Sequence, residues 1–283
     1  MSSARKPRAL RPGDLVGVAA PAGPVDEARL GRGVAELERL GFGVRVAEGV
    51  LERKGFTAGS VETRLRELHD LWADPAVAGI LCARGGAGTI QLLPGLDRDL
   101  LARNPKLLLG YSDVTLLHLE MERLGVTSLH GPMVARELAD GEEAYDRASL
   151  WHGLTGEGEP YASGPEDLVP LADGRVEGVL RGGCLSLLAA TSGTPWAPRP
   201  GDEPSILFLE DVDERPYRID RMLRQLLAAG LLEALHPLHV PIALGLSSGH
   251  TPHPHLTLPL GVRARLECGD GAAQLAVLEA PVA

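Results

Sequence analysis

The 283 residues are 44% hydrophobic and 23% charged, the balance of a soluble globular protein long enough for one large domain or two ordinary ones. Their 38 acidic and 28 basic side chains leave a formal charge of −10, which argues against nucleic acid or an anionic membrane as partner, and at 4% aromatics there is little to stack on bases. Cys82, Cys184 and Cys268 form no C-x-x-C pair, residues 1–11 lack an apolar leader core, and no stretch reaches the ~18 apolar residues of a membrane span, so a reduced, cytoplasmic location is expected.

Residues 14–20 (DLVGVAA) predict a buried strand closed by Pro21-Ala22-Gly23-Pro24, and Asp26 can cap a helix with Leu30, Val34, Leu37 and Leu40 on one face. A short strand at 44–46 and a helix carrying Val61, Leu65, Leu68 and Trp72 follow. The strand at 78–83 runs into Arg84-Gly85-Gly86-Ala87-Gly88, with a short helix around 89–93. Leu107 to Gly110 is apolar without alternation, as in a strand buried on both faces, and residues 113–124 then place Val114, Leu117, Met121 and Leu124 at helical spacing. Strands alternating with helices imply right-handed βαβ units and a parallel sheet, whose sites form at the carboxyl ends of its strands.

Residues 1–140 are thus expected to be an α/β domain, and residues 141–175, rich in Gly, Pro and acidic side chains, a linker. Residues 176–283 predict a β-rich second domain. It holds Gly182-Gly183, an apolar helix from Leu185, a strand at 206–209 ending in Glu210-Asp211, a helix at 216–229, a strand at 242–246, and short strands with turns in the last forty residues.

Ser112 sits where the buried strand at 107–110 gives way to a helix. A hydroxyl on such an elbow is thrust out of the sheet beside the first helical N–H groups, which suits a nucleophile next to an oxyanion hole. The G-x-S-x-G pattern is only partly met, because its last position is Val114, and Ser112 or Asp113 could equally be a helix N-cap. The glycine run at 84–88 is no phosphate loop: it lacks Gly-Lys-Ser/Thr, and read as G-x-G-x-x-G it ends on Gln91. It is either a plain strand-to-helix turn or a bare backbone open to a substrate. Glu210 and Asp211 are either a solvated loop or, at a strand end, an orienter for a histidine. Arg215, Arg218 and Arg221 read as helix-surface residues. His250, His253 and His255 lack neighbouring carboxylates, so no metal cofactor is expected. His250 follows a Gly turn after a strand and is placed as a general base, whereas His253 and His255, alternating with Pro252 and Pro254, are expected on an exposed loop. Ser, Glu and His in this order would complete a nucleophile, orienter and base set.

These stretches together resemble the LD-carboxypeptidase family of serine peptidases, which includes muramoyl-tetrapeptide carboxypeptidase and the microcin C resistance peptidases. The resemblance rests on Arg11-Pro12-Gly13-Asp14, Ala20-Pro21, Arg84-Gly85-Gly86 and Gly110-Tyr111-Ser112-Asp113-Val114-Thr115. It continues through His130-Gly131-Pro132-Met133, Gly182-Gly183, Leu209-Glu210-Asp211, Pro216-Tyr217-Arg218-Ile219-Asp220-Arg221, Gly249-His250 and Leu258-Pro259-Leu260-Gly261. It implies a Rossmann-like first half, a β-rich second half and a site between them. It implies Ser112 as nucleophile, Glu210 as orienting carboxylate, His250 as base, and the backbone N–H groups of Gly86 and Asp113 as oxyanion hole. The implied substrate is a murein peptide cut at an L,D bond in cell-wall recycling, or an aminoacyl-nucleotide conjugate, and the implied assembly is a metal-independent homodimer; a scaffold that binds without catalysis is the alternative outside enzymes. The chain departs from the family at Ala87, Cys184 and Ala22, where an aromatic, Asn and Ser are usual, and residue 229 reaches Pro241 without the usual extra strand and loop.

Overall fold

The first strand, β1 (Leu15–Ala19), is buried from its second residue onward, as a central strand of a parallel sheet must be. The computed structural model describes residues 4–164, 167–199, 203–230, 232, 240–251 and 254–283. Asp26 caps α1 (Glu27–Arg39) by accepting from the Arg29 N–H, and Leu30 and Leu37 turn inward. There follow β2 (Gly43–Val46), α2 (Val61–Ala73) capped by Ser60, β3 (Val77–Cys82), α3 (Arg98–Arg103), β4 (Leu107–Gly110), α4 (Thr115–Arg123) and β5 (Ser128–His130). The helix expected at 89–93 is two 3-10 turns, Thr89–Gln91 and Leu93–Gly95, and α4 is preceded by another at Ser112–Val114.

These strands form a sheet in the order β5-β4-β3-β1-β2, all parallel. From β1 the chain moves outward to β2, then returns to the other side of β1 for β3. The carboxyl ends of β1 and β3 therefore flank the crevice where strand order reverses. The loops there touch: the Gly23 N–H donates to the Gly85 carbonyl at 3.0 Å.

The stretch at 141–175, expected as a linker, is largely ordered into elements. After α5 (Glu137–Asp140), the helix α6 (Arg147–Thr155) is capped by Asp146 and ended by Gly156 in the left-handed conformation. Leu150 and Leu154, four residues apart, are buried in the same core as the parallel sheet, which is what makes this short segment a helix. Near its end the stretch holds β6 (Val169–Ala172).

The second half contains β7 (Gly174–Cys184), α7 (Leu185–Thr191), β8 (Ser205–Glu210), α8 (Pro216–Ala228), β9 (Ile242–Leu244), β10 (Leu258–Leu260), β11 (Arg263–Gly269) and β12 (Ala272–Val277). Its sheet runs β12-β11-β7-β8, with β7 and β8 parallel, while β6 and β9 form a separate antiparallel pair. β10 does not join the second sheet. It pairs antiparallel with β5, setting Leu258 opposite His130, and so brings the preceding loop to the edge of the first sheet. A third apolar cluster lies between the halves, where Leu116 and Leu119 of α4 meet Leu185 and Leu188 of α7 and Leu226 of α8. The shortened stretch before Pro241 lies almost wholly outside the described residues.

Candidate active site

The elbow after β4 is built as a strained turn. Tyr111 is extended and Ser112 stands at φ 62°, a left-handed conformation that serine adopts only when its surroundings impose it. The glycine loop after β3 lies against it: a methyl group on Gly85 would fall 2.7 Å from Ser112 Cβ and 2.9 Å from its Oγ, so only glycine fits. Asp113 faces inward rather than capping its own helix. Its Oδ2 accepts from the Thr89 N–H at 2.7 Å, tying the elbow to the glycine loop, and burial pushes its carboxyl up. Gly86, at φ 114°, and Asp113 each follow one member of the touching Gly85–Ser112 pair, so their N–H groups belong to the same rim.

Glu210 ends β8, in register with Cys184 at the end of β7. Its Oε2 accepts from His250 twice, from the ring Nδ1 at 2.7 Å and from the backbone N–H at 3.1 Å. The side chain is 5% exposed. Burial by itself would raise such a carboxyl; the adjacent His130 and His250 imidazoles outweigh it and hold the group down at about 2, ionised at any ordinary pH. The turn before His250 is as constrained as the serine elbow. Gly249 has φ 89°, and a methyl group there would lie 2.5 Å from the Glu210 carboxyl. Across the seam, the Tyr111 ring packs edge-on against the His250 ring with centroids 5.1 Å apart, which brings His250 beside the residue preceding Ser112.

The expectation that His255 lies on an exposed loop is corrected. His255 is 1% exposed, its Nε2 accepts from the Gly249 N–H at 2.9 Å, and its ring stands 4.7 Å from that of Tyr111. The reason is backbone pairing: its N–H donates to Ala144 and its carbonyl accepts from Asp146, so the extended residues after Pro254 are drawn under the loop. His253 lies outside the described residues. Arg218 is paired with Glu214, and Arg221 lies over the Tyr217 ring, as helix-surface residues do.

Sequence reasoning passed over three partners of this site. Tyr111 donates its hydroxyl to Glu137 at 2.7 Å; Ser248 bonds His130 Nδ1 at 3.1 Å; and His130 Nε2 stands 3.7 Å from Glu210 Oε1. The signal for His130 was its place in the motif His130-Gly131-Pro132-Met133, but nothing in the chain links residue 130 with residue 210. Among the described residues no group of three or more His, Cys, Asp or Glu side chains is placed to hold a metal ion, and no helix is long and apolar enough to cross a membrane. Chemically, an ionised carboxylate fixes the tautomer of an imidazole near a strained serine and bare backbone N–H groups, an arrangement suited to acyl transfer.

Known proteins share this frame. Residues 16–131 match the LD-carboxypeptidase N-terminal domain and residues 177–236 the LD-carboxypeptidase C-terminal domain. The murein tetrapeptide carboxypeptidase of Pseudomonas aeruginosa is 36% identical over 75% of this chain and 71% of its own. The muramoyltetrapeptide carboxypeptidase of Oxalobacter formigenes superposes with a TM-score of 0.81 at 29% identity, covering 95% of this chain and all of its own. An MccF-like protein of Bacillus anthracis superposes at 0.88 with 25% identity, covering 98% and 100%. With both domains matched in order, the chain belongs to the LD-carboxypeptidase family.

Proposed function

We propose that this protein is a serine carboxypeptidase that hydrolyses the L,D-peptide bond of a murein tetrapeptide and releases its terminal D-alanine, with Ser112, Glu210 and His250 as its catalytic triad. The observation that carries the proposal is the ionised, buried Glu210 bonded to His250 Nδ1 beside a serine held at φ 62°. With Nδ1–H engaged by Glu210, His250 keeps the Nε2 lone pair for a proton. Ser112 Oγ attacks the scissile carbonyl carbon while its proton passes to His250 Nε2. The carbonyl oxygen becomes an oxyanion held by the N–H groups of Gly86 and Asp113. Collapse breaks the C–N bond, and His250 returns the proton to the departing D-alanine amine. Water then attacks the acyl-serine with His250 again as base, restoring Ser112 and leaving the shortened peptide.

The cytoplasm, cell-wall peptide recycling and a homodimer complete the proposal. Support for the first comes from the three cysteines, all buried thiols without disulfide partners. Mass spectrometry of purified protein with L,D- and D,D-terminated murein peptides tests the activity. Loss of one alanine from the L,D-terminated tetrapeptide alone is expected. Turnover only of an aminoacyl-nucleotide conjugate would instead select the microcin-type amidase, and no turnover of either would leave a binding scaffold.

A further inference from the structure

Glu210 has two carboxylate oxygens, and the triad uses one. Oε2 is engaged by His250, whereas Oε1 is buried without a hydrogen bond and faces the Nε2 of His130 at 3.7 Å, itself a buried atom without a hydrogen-bond partner. Orphaned buried polar atoms are rare enough to need an explanation, and here the two face one another. The opposite side of the ring is tied down: His130 Nδ1 lies 3.1 Å from Ser248 Oγ, whose single proton also has the Leu256 carbonyl within reach at 2.9 Å.

Counting protons fixes what His130 presents. If the Ser248 hydroxyl donates to Leu256, its oxygen must accept from His130 Nδ1–H, and a bare Nε2 would then oppose a carboxylate. A lone pair then faces a negative charge, which is unfavourable. If instead Ser248 donates to Nδ1, the neutral ring carries its proton on Nε2. The carboxylate favours the second arrangement, in which an N–H points at Glu210 Oε1.

We infer that His130 is a positioning residue of the triad, its Nε2–H anchoring the second oxygen of Glu210 so that the first stays on His250 Nδ1. Its strand explains the placement, since β5 ends at His130 with β10 paired alongside, and Ser248 from the segment leading to β10 meets the His130 ring. The 3.7 Å separation is long for a hydrogen bond, as contacts in active sites often are before substrate binds. This role rests on the proposed triad.

The titratable groups around His130 are Glu210 on β8, with His250 beyond it, His255 before β10, Tyr111 after β4 and His118 on α4. Burial holds His118 neutral, its value down at about 3, and pushes the Tyr111 phenol up, so neither changes charge between pH 5 and 9.

Two measurements test the inference. Long-range 15N–1H correlation on the unmodified protein, which needs no substrate, is expected to show a proton on His130 Nε2 between pH 6 and 8; a bare Nε2 overturns the inference whatever the enzyme cleaves. On whichever substrate is turned over, His130→Ala is expected to lower kcat about 10- to 100-fold with KM little changed, as loss of an orienting outer partner does. His130→Gln, whose amide N–H can reach the same oxygen, should recover most of the activity. A folded Gln variant as impaired as the Ala variant, or an Ala variant within twofold of the parent, would refute it.

Discussion

Ser112 is held in a conformation its own side chain resists, and that resistance has to be repaid by neighbours that over-determine it. Gly85 against its side chain and Asp113 bonded to Thr89 are those neighbours. The frame is thus independent of the hydroxyl, and Ser112→Ala is expected to fold and melt as the parent while kcat falls by ~10⁴ to 10⁶. His250→Ala should be as damaging, and the double variant little worse than either, because such a set acts as a unit. Steady-state kinetics on the three proteins decide it, and more than about a tenth of the activity left in either single variant would place the chemistry elsewhere.

Glu210 gives a second residue-scale expectation, in stability. Its folded value, about 2, lies below the usual 4.5 of glutamate, so its contribution is present above pH ~4.5 and is lost as pH falls toward 2. A shift of this size corresponds to roughly 3 kcal/mol at most. Glu210→Gln should therefore flatten the fall in melting temperature between pH 5 and 2.5. Equal slopes for the two proteins would show that the carboxylate is not held down by its histidines. Chelators are expected to leave activity unchanged, since His250 Nδ1 is committed to Glu210 and His255 Nε2 to the Gly249 N–H, removing two nitrogens from any ligand set. Activity lost to EDTA and restored by zinc would contradict this.

At the scale of elements, each catalytic candidate stands where a strand or its following turn ends, and glycines that admit no substituent pack against them, Gly85 against Ser112 and Gly249 against Glu210. Gly249→Ala is expected to displace the Glu210 carboxyl, because the new methyl would sit 2.5 Å away, and overpacking of this kind costs about 1–3 kcal/mol. Urea denaturation should register that loss, and kcat should fall more than KM rises; an undisturbed kcat would mean that the loop shifts instead of the carboxylate. β1, β3 and β4 were legible in the sequence because burial on both faces writes apolar runs, and Asp26 and Gly41 bracket α1 as expected, whereas the three-residue β5, Ser-Leu-His, carries no such run and was not expected. β7 was not legible. Its eleven residues, GRVEGVLRGGC, mix Arg and Glu with glycines, and only from Gly178 onward do buried positions recur. α6 was hidden by its shortness and by the Gly- and acid-rich residues around it. His255 was misplaced because Pro252 and Pro254 suggest an exposed extended loop, while the pairing with Ala144 that buries it is a contact over more than a hundred residues.

The whole molecule divides the candidate site across a seam, with Ser112, Gly86 and Asp113 on the first half and Glu210 and His250 on the second. No catalytic side chain is needed to hold that seam closed. The α4–α7–α8 leucine cluster does so, aided by the Cys184 N–H donating to Thr115 Oγ1 at 3.1 Å and by β10 adding itself to β5. Leu188 is central to the cluster and 2% exposed, so Leu188→Ala removes buried surface and leaves a cavity, at about 2–5 kcal/mol. That loss weakens the docking of the halves while leaving the parallel-sheet core of the first half untouched, since Leu188 is not part of it. Peptidase activity of the variant is therefore expected to disappear at a lower urea concentration than its far-UV circular dichroism, with the two transitions closer together in the parent. If activity and helical signal vanish together in the variant, the seam unfolds only with the sheets, and the halves form one cooperative unit that the leucine cluster supports as ordinary core.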